Sequence, residues 1–235
     1  MNLSTTPSNH PHIRMRMLVA TAVSVLTLAG GVLTATVSSA DPGHGGQSGP
    51  SPHSHQTSEQ AFHDQMRKLW EDHVTWTRLA IVTFADGSAG FPATATRLLA
   101  NQTDIGNAIK PYFGAAAGNR LTALLHDHIT IAVELLQDAK AGDTAAFNDA
   151  DARWYANAND IADFLAAANP RFWPDAMMRA DMKVHLDQTL AEASDELGKN
   201  FTASVTDYEA IHLHILNMAD MLSAGIVRRF PSRFH

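Results

Sequence analysis

From about Glu59 to Arg229 the apolar residues recur at helical spacing, and Gly, Pro and Asn interrupt them at nearly regular intervals. The stripe Leu121, Leu124, Leu125, His128, Ile131, Ala132, Leu135 is one face of a helix. Stops at Asp86-Gly87, at Pro111 with Gly114, at Gly142, at Asn169-Pro170, at Gly198 and before Pro231 divide the chain into six helices. Their expected spans are 59–84, 93–109, 117–141, 144–168, 175–198 and 202–229. Sustained apolar–polar alternation is absent and Ala is abundant, so no strand is expected.

Self-similarity narrows this further. Asn101 precedes Asp104 by three residues, Asn157 precedes Asp160, and Asn217 precedes Asp220. Each pair follows a helix carrying an inward-facing histidine: His73, His128 and His185. The expected fold is therefore an all-α six-helix bundle made of three repeated helical hairpins. His73 lies 13 residues before Asp86 and Asp104 lies 12 after Pro92. At a rise of ~1.5 Å per residue, such equal arms put the histidine level with its Asn-x-x-Asp. The i, i+3 spacing places Asn and Asp on one face, so three hairpins around a common axis would gather all nine side chains into one polar layer.

Three uses of that layer remain open. His73, Asp104, His128, Asp160, His185 and Asp220 could hold a divalent metal (Fe, Mn or Zn) or a small ligand, with Asn101, Asn157, Asn217 and His214 orienting them from behind. The layer could instead be a hydrogen-bonded network that fixes helix register without a ligand, in a structural or interaction domain. A His–Asp couple could also serve acid–base chemistry of a hydrolase kind. Glu-x-x-His and His-Glu-x-x-His spacings are missing. Gly-rich phosphate loops, Gly-x-Ser-x-Gly and dinucleotide fingerprints are missing too.

The N-terminus has Arg14 and Arg16, an apolar run from Met17 to about Val37, and Ser38-Ser39-Ala40. That is the pattern of a secretory signal peptide over 1–40, cut after Ala40; the alternative is an uncleaved anchor, since ~20 apolar residues span a bilayer. An extracytoplasmic protein, secreted or associated with the cell wall, is expected. Removing Arg14 and Arg16 from 17 Lys and Arg leaves 15 against 24 Asp and Glu, a net of −9. Such acidity argues against nucleic acid, and against an anionic membrane once the signal is removed. The absence of Cys excludes disulfides, thiolate metal sites and thiol catalysis. Residues 41–58 are rich in Gly, Pro, Ser and His and form a linker to the 59–235 domain. Its His44, His53 and His55, with His63 beyond, are spacer residues or a metal-capturing tract.

Met177, Met178, Met182, Met218 and Met221 fit core filling better than copper binding. Trp70, Trp76, Trp154 and Phe164 fit core aromatics. His212 and His214 lie on different helix faces, as do His126 and His128, so neither pair chelates from one face.

The phrases Leu69-Trp70-Glu71-Asp72-His73, Arg97-Leu98-Leu99-Ala100-Asn101, Ala139-Lys140-Ala141-Gly142-Asp143, Trp154-Tyr155-Ala156-Asn157 and Met218-Ala219-Asp220 resemble a family of uncharacterised bacterial helical proteins. The likeness covers roughly residues 65 to 231. Members are sometimes labelled acetylglutamate kinase or glycosyltransferase. The resemblance implies a helical fold that includes the His and Asn-x-x-Asp positions. Neither label follows from these residues, which supply no phosphate cradle and no α/β sheet.

Overall fold

In a computed structural model of the protein, residues 57–234 are the described part. The expected signal peptide, the linker up to residue 56 and its His44, His53 and His55 lie outside it.

Six helices follow one another: α1 (Ser58–Ala85), α2 (Phe91–Phe113), α3 (Ala115–Ala141), α4 (Thr144–Ala168), α5 (Asp175–Leu197) and α6 (Phe201–Arg229), with a 3-10 turn at Pro231–Arg233. No strand occurs among the described residues. Local chemistry explains the ends. The Thr57 hydroxyl accepts the Gln60 amide at 3.2 Å and starts α1. Gly142, at φ 72°, closes α3 in the left-handed conformation. Asp143 then accepts the Ala145 and Ala146 amides at 3.2 and 3.0 Å and opens α4. The one misplaced stop is Pro111. Proline removes a single hydrogen bond, and so near the helix end α2 continues to Phe113 before Gly114 terminates it.

Every helix packs against its neighbours in sequence, and α6 returns to pack against α1. The result is a closed ring. The α2–α3 contact is as close as any within the expected hairpins, because two glycines face each other there. A Cβ on Gly106 would lie 2.6 Å from the Gly118 carbonyl oxygen, and one on Gly118 would lie 2.5 Å from the Gly106 oxygen. Packing alone therefore does not divide the ring into three pairs.

The interior is filled by Met66, Trp70 and Val74 of α1, Ile105 of α2, Leu121 and Leu125 of α3, Trp154 and Ile161 of α4, Leu186 of α5, and Ile215 and Leu222 of α6. Met178, Met182 and Met218 are buried in the same cluster, as expected of core filler. By length and composition α6 is apolar enough to cross a membrane. In this ring Ile211, Ile215, Met218, Leu222 and Ile226 form its buried stripe.

Candidate functional site

His73 on α1, His128 on α3 and His185 on α5 meet inside the ring. Each is nearly inaccessible, at 2%, 2% and 4% exposure. The His185 ring centre lies 5.6 Å from that of His73 and 6.1 Å from that of His128. Burial is the main reason all three are poor bases, because removing an imidazolium from water is costly, and at His73 and His185 neighbouring imidazoles add repulsion. His73 is held down at about 3 and His128 at about 4, while His185 sits well below the usual value. The trio is neutral at physiological pH.

Amides, not carboxylates, partner two of the rings. Asn157 donates its Nδ2 to the Leu124 carbonyl at 3.0 Å, which leaves its Oδ1 to accept the His128 Nδ1 proton at 3.0 Å. Gln102 on α2 donates its Nε2 to the Leu98 carbonyl at 2.8 Å and also approaches His73 Nδ1 at 3.3 Å. His73 Nδ1 is thus an acceptor and its proton sits on Nε2, the opposite tautomer to His128. Both assignments follow from the fixed backbone acceptors. His185 differs: its Nδ1 is buried with no hydrogen-bond partner. The backbone carbonyls of the three histidines accept Thr77 Oγ1, Trp154 Nε1 and Thr189 Oγ1 at 2.8, 3.1 and 2.8 Å.

One relationship recurs around the ring. Asn101 Nδ2 donates to the Leu69 carbonyl at 3.0 Å, and Leu69 is four residues before His73. Asn157 donates to Leu124, four before His128. His214 Nε2 donates to the Asp181 carbonyl at 3.0 Å, and Asp181 is four before His185. The position matching Asn101 and Asn157 is thus His214, 29 residues after His185, rather than Asn217.

The expected aspartates do not join the histidines. Asp104 is half-exposed, 3.6 Å from Arg97, and borders an open groove of about 420 Å³ with Phe62, Leu69 and Tyr112. Asp160 is exposed, and so is Asn217. Asp220 faces outward, accepting both Arg67 at 2.7 Å and His63 Nε2 at 2.9 Å. Helical phase explains this. Three residues turn a helix by ~300°, so the third residue lies ~60° back from the first. The first and fourth residues after each bonding side chain go inward: Gln102 and Ile105, Ala158 and Ile161, Ile215 and Met218. The third, Asp104, Asp160 or Asn217, is turned out. Among the described residues no three His, Asp or Glu side chains are disposed to hold a metal ion.

The sequence reading also missed a second buried polar cluster. Arg78 on α1 donates to Glu192 at 2.9 Å, lies 3.2 Å from Glu196, and donates to Ser204 on α6. Ser204 donates to Glu196 at 2.5 Å. Its signal was available in α5, where His185, Thr189, Glu192 and Glu196 recur at 4, 3 and 4 residues as one polar stripe. This stripe, Thr189 included, faces the interior.

Comparison with protein-family models, with curated proteins and with solved structures found no match.

Proposed function

We propose that the protein is an exported structural or interaction domain of three like hairpins, whose interior His, Asn and Gln network locks the helices in register. The observation that carries this is the bond made by Asn101, Asn157 and His214, each to the carbonyl four residues before a buried histidine. A side chain reaches such a carbonyl, buried at Leu124 and part-buried at Leu69 and Asp181, only in one rotation and height of the partner helix. Slipping a helix by one residue turns it ~100° and breaks the bond. A network of this kind favours one arrangement of the ring over its near alternatives.

The test is replacement of His214. Removing the donor in His214→Ala takes away the partner of the part-buried Asp181 carbonyl, and ~0.5–1.5 kcal/mol of stability is expected to be lost by chemical denaturation. His214→Asn supplies the side chain that the other two hairpins use, and is expected to recover most of that loss. If the Asn variant is no better than the Ala variant, the three positions are not equivalent.

One observation favours a second reading, a ligand taken up at the trio after its rings turn, since as they stand they are not disposed around a metal ion: the unpartnered Nδ1 of His185. With the carboxylates outside, the donor set is all imidazole, which suits zinc better than manganese or another oxygen-preferring ion. Equilibrium dialysis against zinc separates the two readings. Stoichiometric uptake lost in His185→Ala makes the trio a metal site; no uptake leaves the network.

A further inference from the structure

α6 begins with little help from its own sequence. Asn200 makes no side-chain capping bond, and Lys199 before it holds a φ of 62°, a region that favours glycine. What fastens the first turn is Ser204, fully buried, which bonds Glu196 of α5 and accepts from Arg78 of α1. These three helices form the seam at which the ring closes.

The charges at this seam do not balance. Glu192 and Glu196, at 1% and 4% exposure, face one guanidinium. The groups that face Glu192 are Arg78 from α1, Glu196 from its own helix and Asp207 from α6, whose charge is in turn tied to Asp195. Arg78 compensates one carboxylate. A second buried negative charge without a counter-ion is costly, and taking up a proton is the cheaper state. The Glu196 Oε2 accepts from Ser204 and lies 3.2 Å from Arg78. Glu192 has Arg78 on Oε1.

We propose that Arg78, Glu192, Glu196 and Ser204 form a proton-controlled clasp: with one proton on the glutamate pair the α1–α5–α6 seam is closed, and its loss loosens the start of α6. Burial pushes the Glu192 carboxyl up to about 7, against the pull of Arg78, so the clasp works near neutral pH. The exposed Phe201 and Val205 lie on the first turns it would release.

The experiment is amide hydrogen exchange of residues 201–208 in the full chain from pH 5.5 to 8.5, corrected for intrinsic exchange. Protection of this segment is expected to fall at least tenfold across the range, while α3 stays unchanged. In Glu192→Gln, which keeps the shape and cannot ionise, the segment is expected to stay protected throughout. Protection independent of pH in the wild type, or an equal fall in the Gln variant, overturns the clasp. A carbon-13 NMR titration of the Glu192 carboxyl in the wild type needs no variant to fold. A midpoint near neutrality supports the proposal, and one in the ordinary carboxylate range sinks it.

Discussion

The side-chain amide of Asn157 on α4 donates to the main-chain carbonyl of Leu124 on α3, 3.0 Å away and 33 residues earlier. The same side chain accepts the His128 proton on its other atom. Asn157→Ala therefore strands two buried groups at once, and is expected to destabilise the domain by ~2–4 kcal/mol in urea unfolding. Asn157→Asp is expected to be no better. A carboxylate still accepts from His128 but has no proton for Leu124, and it introduces a charge that 7% exposure does little to hydrate. An Asp variant as stable as the wild type would mean that the Leu124 bond contributes nothing.

The neutral trio gives the domain an acid limit. All three histidines bind protons less readily folded than unfolded, so between the ordinary value of 6.5 and about 4 the unfolded chain holds more protons. Stability must fall as pH drops through that window. Glu192 acts in the opposite sense: raised from 4.5 to about 7, it is protonated in the folded state first, and stability declines as pH rises across that interval. Three groups outweigh one below pH 6.5. Denaturant midpoints measured from pH 4 to 8 are expected to fall steeply on the acid side, and His128→Asn should flatten that side. A profile flat below pH 6.5 would show that the histidines are protonated in the folded protein.

Much of the architecture was legible because helix punctuation is local chemistry. Asp86-Gly87, Gly142-Asp143 and Gly198 each stop or start a helix at the expected place within a residue or two. The buried histidines were legible for a related reason, since His128 sits in phase with Leu121, Leu124 and Leu125 on one helical face. What spacing did not reveal was which way a polar pair turns. Asn101 and Asp104 are close on the helix surface, yet the wall of the ring passes between them. Gln102 and Ile105 define the inward side, and the aspartate falls on the other. The third pair was also read three residues late, because Asn217-x-x-Asp220 copies the motif while His214 makes the bond. Glu192 and Glu196 escaped notice because glutamates on a helix are usually solvated. Their burial rests on the inward-turned Arg78 of α1 and on Ser204 of α6, both on other helices.

The outward aspartates lead to a sharp contrast. Asp160→Asn and Asp104→Asn are expected to change stability by less than about 0.5 kcal/mol, as surface substitutions do. The neighbouring Gln102→Leu, at a fully buried position whose two amide protons face Leu98, His73 and Asn101 acceptors, is expected to cost on the order of 1–3 kcal/mol. Thermal melts of the three variants side by side decide the matter. A large loss from Asp160→Asn, with its exposed side chain, would mean that this carboxylate supports the interior after all.

The α2–α3 contact carries the last prediction. Gly106 and Gly118 let two helix backbones approach until each carbonyl occupies the space a side chain would need. In isolation Gly106→Ala favours a helix, because alanine loses less backbone freedom on folding, by roughly 0.8–1 kcal/mol. In the ring the new methyl group meets the Gly118 oxygen at 2.6 Å, and that oxygen belongs to backbone and cannot swing aside. The helices must separate, which breaks packing along their length and costs ~1–3 kcal/mol as overpacking usually does. The clash outweighs the propensity gain, and a Tm lowered by about 2–8 °C is expected for a domain of this size. The same substitution also pulls Gln102, one turn before Gly106, away from His73. Nitrogen-15 NMR should then report a change in the His73 tautomer equilibrium along with the lower Tm. A variant with raised Tm and an unaltered His73 signal would mean that α2 and α3 are not held this close.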